Sequence, residues 1–302
     1  MAAPQIEHGF VSANGLRFHV ASCEAEPGSD RLALFLHGFP EFSLSWREQL
    51  PLLARLGYKA WAPDLRGYGK TDRPPAVQDY AIEKLLDDVS GLIAASGARE
   101  TLLVGHDWGG IVAWYFAMRR PAEIARLCIM NLPHPACMER ALRGRQILRS
   151  WYALFFQIPW LPERLMAAGD YRAVREAFLG MAVDKSRFPS ELLRAYRDNA
   201  AHPGALTAMI NYYRALVRGG SRRQRALGYP KIETPTLMIW GEKDSALGIE
   251  TSHGTEAHVS DLTLRYLPNV SHWVQQEAPG KVNAMLEAWL LGKPVPQAWE
   301  IA

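Results

Sequence analysis

Residues 104–110 read V-G-H-D-W-G-G, and the fold turns on this stretch. A short apolar run, 101–104, meets a glycine, then one raised side chain, then a second glycine that opens a helix. This G-x-D-x-G spacing is that of a strained strand-to-helix elbow, which lifts its central residue above a sheet. Gly105 and Gly109 let strand and helix approach closely, and Asp107 stands where a serine is more usual. Aspartate is also a good helix N-cap. A cap, however, needs no glycine on either side, so the spacing points to a nucleophile.

Outward from the elbow, short apolar runs alternate with amphipathic stretches, the pattern of βα units on a mostly parallel sheet. Strands are expected at 17–22, 32–36, 58–62, 101–104 and 127–130, and helices at 46–56, 82–96 and 109–119. After Asn131 this rhythm stops, and 132–228 offers only helical stretches rich in aromatics and arginine. It resumes with strands at 236–240 and 262–267 and a closing helix at 279–291. The expected organisation is an α/β core of 1–131 and 229–302, interrupted by an all-helical lid subdomain over 132–228. Such an insert belongs over the carboxyl edge of the sheet, where open α/β folds bind ligands.

A carboxylate with a reference pKa of about 3.9 is ionised at neutral pH without help from a base. It is a weak nucleophile, suited to displacing a leaving group from sp³ carbon. The product is an alkyl ester of the enzyme, and its hydrolysis needs a base for water and an oxyanion hole. Partners are expected in the order nucleophile, acid, histidine. Asp244, in W-G-E-K-D after strand 236–240, suits the acid, and His272, in N-V-S-H-W after strand 262–267, suits the base. Asn131 cannot serve as a second anionic acid. The backbone N–H groups of Trp108 and of Phe39, in H-G-F-P, are the expected oxyanion donors, with His37 and Pro40 holding the loop's shape. No G-x-S-x-G occurs, which argues against a serine esterase.

The 302 residues are 48% hydrophobic and 22% charged with a formal net charge of +3, ordinary for a soluble globular protein. Arginines cluster at 140–149 and 218–225 without a nucleic-acid motif and read as solvated surface. Cys23, Cys128 and Cys137 are scattered without metal-ligand spacing, which fits a reducing compartment. The first residues lack the basic start and apolar run of a signal peptide. The most apolar stretch, 151–161, is too short for a bilayer and carries Gln157 and Pro159. The expectation is a cytoplasmic monomer or homodimer without a membrane anchor, nucleic-acid partner, metal or organic cofactor.

The motifs H-G-F-P-E at His37, D-L-R-G-Y-G at Asp64, G-H-D-W-G-G at Gly105 and S-H-W at Ser271 resemble those of the α/β-hydrolase superfamily, and within it the epoxide hydrolases. The resemblance runs from about Gly9 to Leu291. It implies that two lid tyrosines donate hydrogen bonds to the epoxide oxygen, and it places them at Tyr152, in S-W-Y-A-L-F-F-Q-I-P, and Tyr213, in I-N-Y-Y-R-A-L. Tyr212 is the neighbour most easily confused with Tyr213. Phe39, Trp108, Trp151, Phe155 and Phe156 suggest an apolar pocket, so the expected substrate is a lipophilic epoxide that water opens to a vicinal diol. A haloalkane dehalogenase shares the aspartate and is the alternative, although many such enzymes carry asparagine where Phe39 stands. A non-catalytic ligand receptor on this scaffold has no need of Asp107, Asp244 and His272 together.

Overall fold

The computed structural model describes residues 4–24 and 28–301. Its strands are β1 (Glu7–Ala13), β2 (Leu16–Cys23), β3 (Arg31–Leu36), β4 (Lys59–Pro63), β5 (Glu100–His106), β6 (Arg126–Met130), β7 (Thr236–Gly241) and β8 (Leu262–Leu267). They form one sheet in the order β1-β2-β4-β3-β5-β6-β7-β8. β2 runs antiparallel to both β1 and β4, and the remaining pairs are parallel. The helices before β6 are α1 (Leu50–Arg55), α2 (Ile82–Ser96) and α3 (Trp108–Arg119). Between β6 and β7 lie α4 (Pro135–Ala141), α5 (Gln146–Arg149), α6 (Trp151–Phe155), α7 (Leu161–Met181), α8 (Ser190–Ala201), α9 (Ala205–Ala215) and α10 (Ser221–Ala226). The chain closes with α11 (Val274–Glu277) and α12 (Pro279–Leu290).

β3 is apolar at every position after Arg31 because both of its faces are covered. Leu32, Leu34 and Leu36 join the core beneath α2 and α3, while Ala33 and Phe35 join the opposite core with α1 and α12. The helical insert adds Phe178, Met209 and Tyr212 to the first of these cores. It sits on the loops at the carboxyl edge: Tyr212 donates to the Arg66 carbonyl at 2.8 Å, and Asn199 accepts from the Gly69 N–H at 2.8 Å. No helix among the described residues is long and apolar enough to cross a membrane.

One expected helix needs correction, and one strand is new. The helix expected over 46–56 is a 3₁₀ turn, Ser43–Trp46, followed by the shorter α1. Pro51 sits in the first turn of α1, the only part of a helix that accommodates proline, so the helix cannot extend back to Trp46. β1 is a strand for which the sequence pattern gives no expectation. It lies at the sheet's edge with its first four residues exposed, so no apolar alternation marks it.

Candidate active site

The strand order brings the expected site residues together. β3 and β5 are neighbours, with Leu36 opposite Gly105, so the H-G-F loop and Asp107 emerge side by side. β6, β7 and β8 follow in sequence, placing Asn131, Asp244 and His272 along the same edge. Asp107 has φ 49° and ψ −119°, the strained backbone of the elbow, and its side chain makes no capping hydrogen bond to α3. The capping alternative therefore fails. A Cβ on Gly109 would overlap the Leu36 carbonyl, and one on Gly38 would overlap the Asp107 carboxylate. The loop after β3 is thus pressed against the aspartate, and the Phe39 N–H donates to Asp107 Oδ1 at 2.7 Å. The Trp108 N–H, at the first position of α3, has no partner within its own helix.

The other carboxylate oxygen, Oδ2, lies 3.7 Å from His272 Nε2. His272 Nδ1 donates to Asp244 Oδ2 at 2.6 Å. Asp244 is itself fixed: Oδ1 accepts from the Ala246 and Leu247 N–H groups, and Oδ2 also accepts from Asn131 Nδ2 at 2.8 Å. Asn131 is therefore a donor to the acid rather than an acid. Burial pushes the His272 imidazole toward lower pKa, yet the charges of Asp244 and Asp107 outweigh it and hold the ring above the usual histidine range. Burial likewise pushes Asp107 up, but His272, His106 and the Phe39 N–H hold it below the usual carboxylate range. Both carboxylates thus favour the protonated form of the ring between them. His37 is buried, and its Nε2 accepts from the Leu65 N–H at 2.9 Å, which fits a role in holding the loop.

No spacing in the sequence marks Glu41 or His106 as site residues, and both are fully buried. Glu41 Oε2 accepts from the Gly38 N–H at 3.0 Å and pairs with His106 Nδ1 at 2.8 Å. Its Oε1 accepts from Gln275 and Gln276. His106 Nε2 in turn donates to the His272 carbonyl at 2.9 Å. One buried charge thus ties together the oxyanion loop, the residue before the nucleophile and the segment after the histidine. Burial raises the Glu41 carboxyl, but His106 and the Gly38 N–H hold it below the ordinary range. We expect Glu41→Gln to cost roughly 2–3 kcal/mol, the range for hydrogen bonds that lose a charged partner. Because the folded-state value is depressed, this stabilisation is present above the unfolded carboxylate range and is lost as pH falls through the folded value. Urea unfolding near neutral pH and in acid checks this: the gap from wild type should narrow in acid, and a gap independent of pH would refute it.

Above Asp107 lies an aromatic shell. Tyr213 packs edge-on to Trp108 at 4.9 Å between ring centroids, to Phe156 at 4.9 Å and to Phe39 at 5.4 Å. Tyr152 meets Tyr213 at 5.8 Å. Burial first, then the negative charge of Asp107, raises both phenols above the ordinary tyrosine range, so both keep their protons. Tyr212 is separated from its neighbour by its hydrogen bond to Arg66, which directs its hydroxyl away. Trp151 corrects the expectation of a pocket residue. It is 61% exposed, and its ring meets Phe155 rather than the shell. Tyr152 and Phe156, four residues apart, share the inward face of this helical turn, whereas Trp151 and Phe155 lie about 100° around it. Phe155 is half-buried and touches the shell through Phe156.

Known proteins resemble this chain in sequence and in fold. A family model described as alpha/beta hydrolase fold matches residues 34–279. The chain is 39% identical to the AB hydrolase superfamily protein YfhM of Bacillus subtilis, over 93% of this chain and 96% of that protein. It is 37% identical to Epoxide hydrolase 4 of Homo sapiens, over 93% of this chain and 77% of that protein. The crystal structure of a Bacillus megaterium epoxide hydrolase in complex with an inhibitor superposes with a TM-score of 0.85 at 30% identity, covering 94% of this chain and 100% of that one.

Proposed function

This chain belongs to the epoxide hydrolase family of the α/β-hydrolase superfamily and hydrolyses epoxides, and on that premise we propose how its residues divide the work. Oδ2 of Asp107 attacks a ring carbon of a lipophilic epoxide. The C–O bond breaks, and the ring oxygen takes a proton from Tyr152 or Tyr213, leaving an alkyl ester and a phenolate. Esterification removes one of the two charges that hold the proton on His272. The imidazolium then returns a proton to the phenolate, and the neutral ring takes one from water. Hydroxide adds to the ester carbon while the N–H groups of Phe39 and Trp108 hold the developing charge on Oδ1. On collapse the departing diol oxygen takes the proton that His272 gained from water, and the Asp107 carboxyl gives its own proton to His272 as it returns to a carboxylate.

The observation that carries this reading is the inequality of the two Asp107 oxygens. Oδ1 is held by the Phe39 N–H, and Oδ2 stands free beside His272. Two protonated phenols in the lid support an epoxide over a halide, because an alkoxide must be protonated as it departs and a halide need not be. Phe39, Trp108 and Phe156 support an apolar substrate. The three free cysteines support a cytoplasmic location. The test is a paired assay of the purified protein, with styrene oxide read out as diol and 1-bromobutane as bromide. Diol formation is expected, and bromide release without diol would assign the site to a dehalogenase.

His272→Gln is expected to complete the first half-reaction and stall at the second, since the histidine acts only after the ester has formed. Ester hydrolysis should slow by roughly 10²–10⁴-fold, the usual contribution of a general base. Intact-protein mass spectrometry after mixing with styrene oxide should show an adduct of the substrate's full mass. A variant that binds substrate yet never accumulates the adduct would contradict this assignment.

A further inference from the structure

The outer face of α5, α6 and the start of α7 carries a run of exposed apolar side chains. Leu148 is 75% exposed, Trp151 61%, Leu154 63% and Trp160 62%, with Ile147 and Leu165 also exposed. Leu148, Trp151 and Leu154 recur every third residue, so they form a stripe along one side of consecutive helical turns. Isolated apolar residues are common on protein surfaces, but a concentrated run of leucine and tryptophan marks an interaction site. The charges around it have one sign. Residues 140–165 contain five arginines and a single acid, Glu163. Glu163 is committed to Arg214 at 2.7 Å. Arg149 reaches Glu250 only at 3.5 Å, and Arg143, Arg145 and Arg164 have no acidic partner among the described residues.

We propose that this face docks on an anionic lipid bilayer surface, with the leucines and tryptophans entering the interface and the arginines meeting the headgroups. The pattern is that of a segment lying in the plane of a membrane: apolar residues with tryptophan on one side, arginine beside them, and the single acid already paired within the protein. A second copy of this chain fits the face poorly. An isologous dimer lays the same patch on itself, which sets the arginines of one copy against those of the other. An anionic bilayer satisfies both the apolar stripe and its cationic border. Because the docked helices are the ones that carry Tyr152, the lid rests where a lipophilic epoxide concentrates. That consequence rests on the epoxide reading, whereas the docking itself does not.

Co-sedimentation of the full chain with vesicles tests the docking. The probes are phosphatidylcholine vesicles with and without phosphatidylserine. Wild type should pellet with the anionic vesicles, weakly with the neutral ones, and less as salt rises. Arg143→Glu/Arg145→Glu should lower the partition coefficient by about tenfold or more, since each basic residue near an anionic surface contributes several-fold. Leu148→Ser/Leu154→Ser should lower it on either vesicle. Both variants should keep wild-type turnover of styrene oxide in vesicle-free buffer, which shows that they are folded and separates failure of docking from failure of the epoxide reading. Equal pelleting of wild type and variants, or no pelleting of wild type, overturns the proposal. So does a concentration-dependent dimer in sedimentation equilibrium that the leucine substitutions abolish, which would give the face to a second copy.

Discussion

Asp107→Ala is expected to abolish epoxide turnover, a loss on the order of 10⁶-fold, as found when a nucleophile that works as a unit with its partners is removed. No other group can form the alkyl ester, because the elbow raises only this side chain and the Phe39 N–H and His272 are both aimed at it. The variant should fold, since the Asp107 side chain caps no helix and its main-chain bonds remain. Its stability is expected to hold or to rise, because removing the carboxylate leaves His272 paired with Asp244 alone and free to become neutral. Circular dichroism establishes the fold, and diol formation from styrene oxide measures activity. Retained turnover in a folded Asp107→Ala protein would defeat the ester mechanism. Asp107→Asn is a poorer test, since water activated by His272 can hydrolyse the new amide back to aspartate.

What the chain discloses by itself follows from how local each feature is. The elbow is legible because its glycines and aspartate lie within five residues and serve one tight turn. Asp244 and His272 are legible because the order of acid and base after successive strands is set by the sheet. Glu41 stands within the quoted H-G-F-P-E motif, yet its role is not readable there. It depends on His106 and on Gln276, the latter 235 residues away. A buried charge satisfied across such distances leaves no spacing in the sequence.

The lid is less legible for a different reason. Aromatic content announces that some side chains face the site, but not which ones, when the helices are as short as α6, with five residues. A single position around such a turn separates Tyr152, inside the shell, from Trp151, on the surface. The arginines at 140–149 and 218–225 are solvated, as expected. Their meaning at 140–149 changes once exposed leucines are found beside them, a fact of packing rather than of composition. β1 is hidden for the opposite reason, since an exposed edge strand needs no apolar pattern.

Replacing both lid phenols, Tyr152→Phe with Tyr213→Phe, should leave an enzyme nearly inactive toward epoxides while its fold persists. Opening the ring leaves an alkoxide, a poor leaving group unless a proton or hydrogen bond reaches it as the C–O bond breaks. Burial and the nearby Asp107 keep both phenols protonated, so either can donate. One well-placed acid contributes roughly 10²–10⁴-fold. Each single variant should fall short of the full loss, because the second phenol remains within the same aromatic shell. Losing both should exceed either single effect. Phenylalanine keeps the ring contacts with Trp108, Phe156 and Phe39, so the change isolates the hydroxyls. Pre-steady-state ester formation on styrene oxide is the measurement, for the two single variants and the double. Hydrolysis of an ester already formed at Asp107 should suffer far less, since it depends on His272 and the oxyanion donors. A double variant that forms the ester at the wild-type rate removes the tyrosines from the mechanism. One that forms it normally but hydrolyses it slowly moves them to the water step instead.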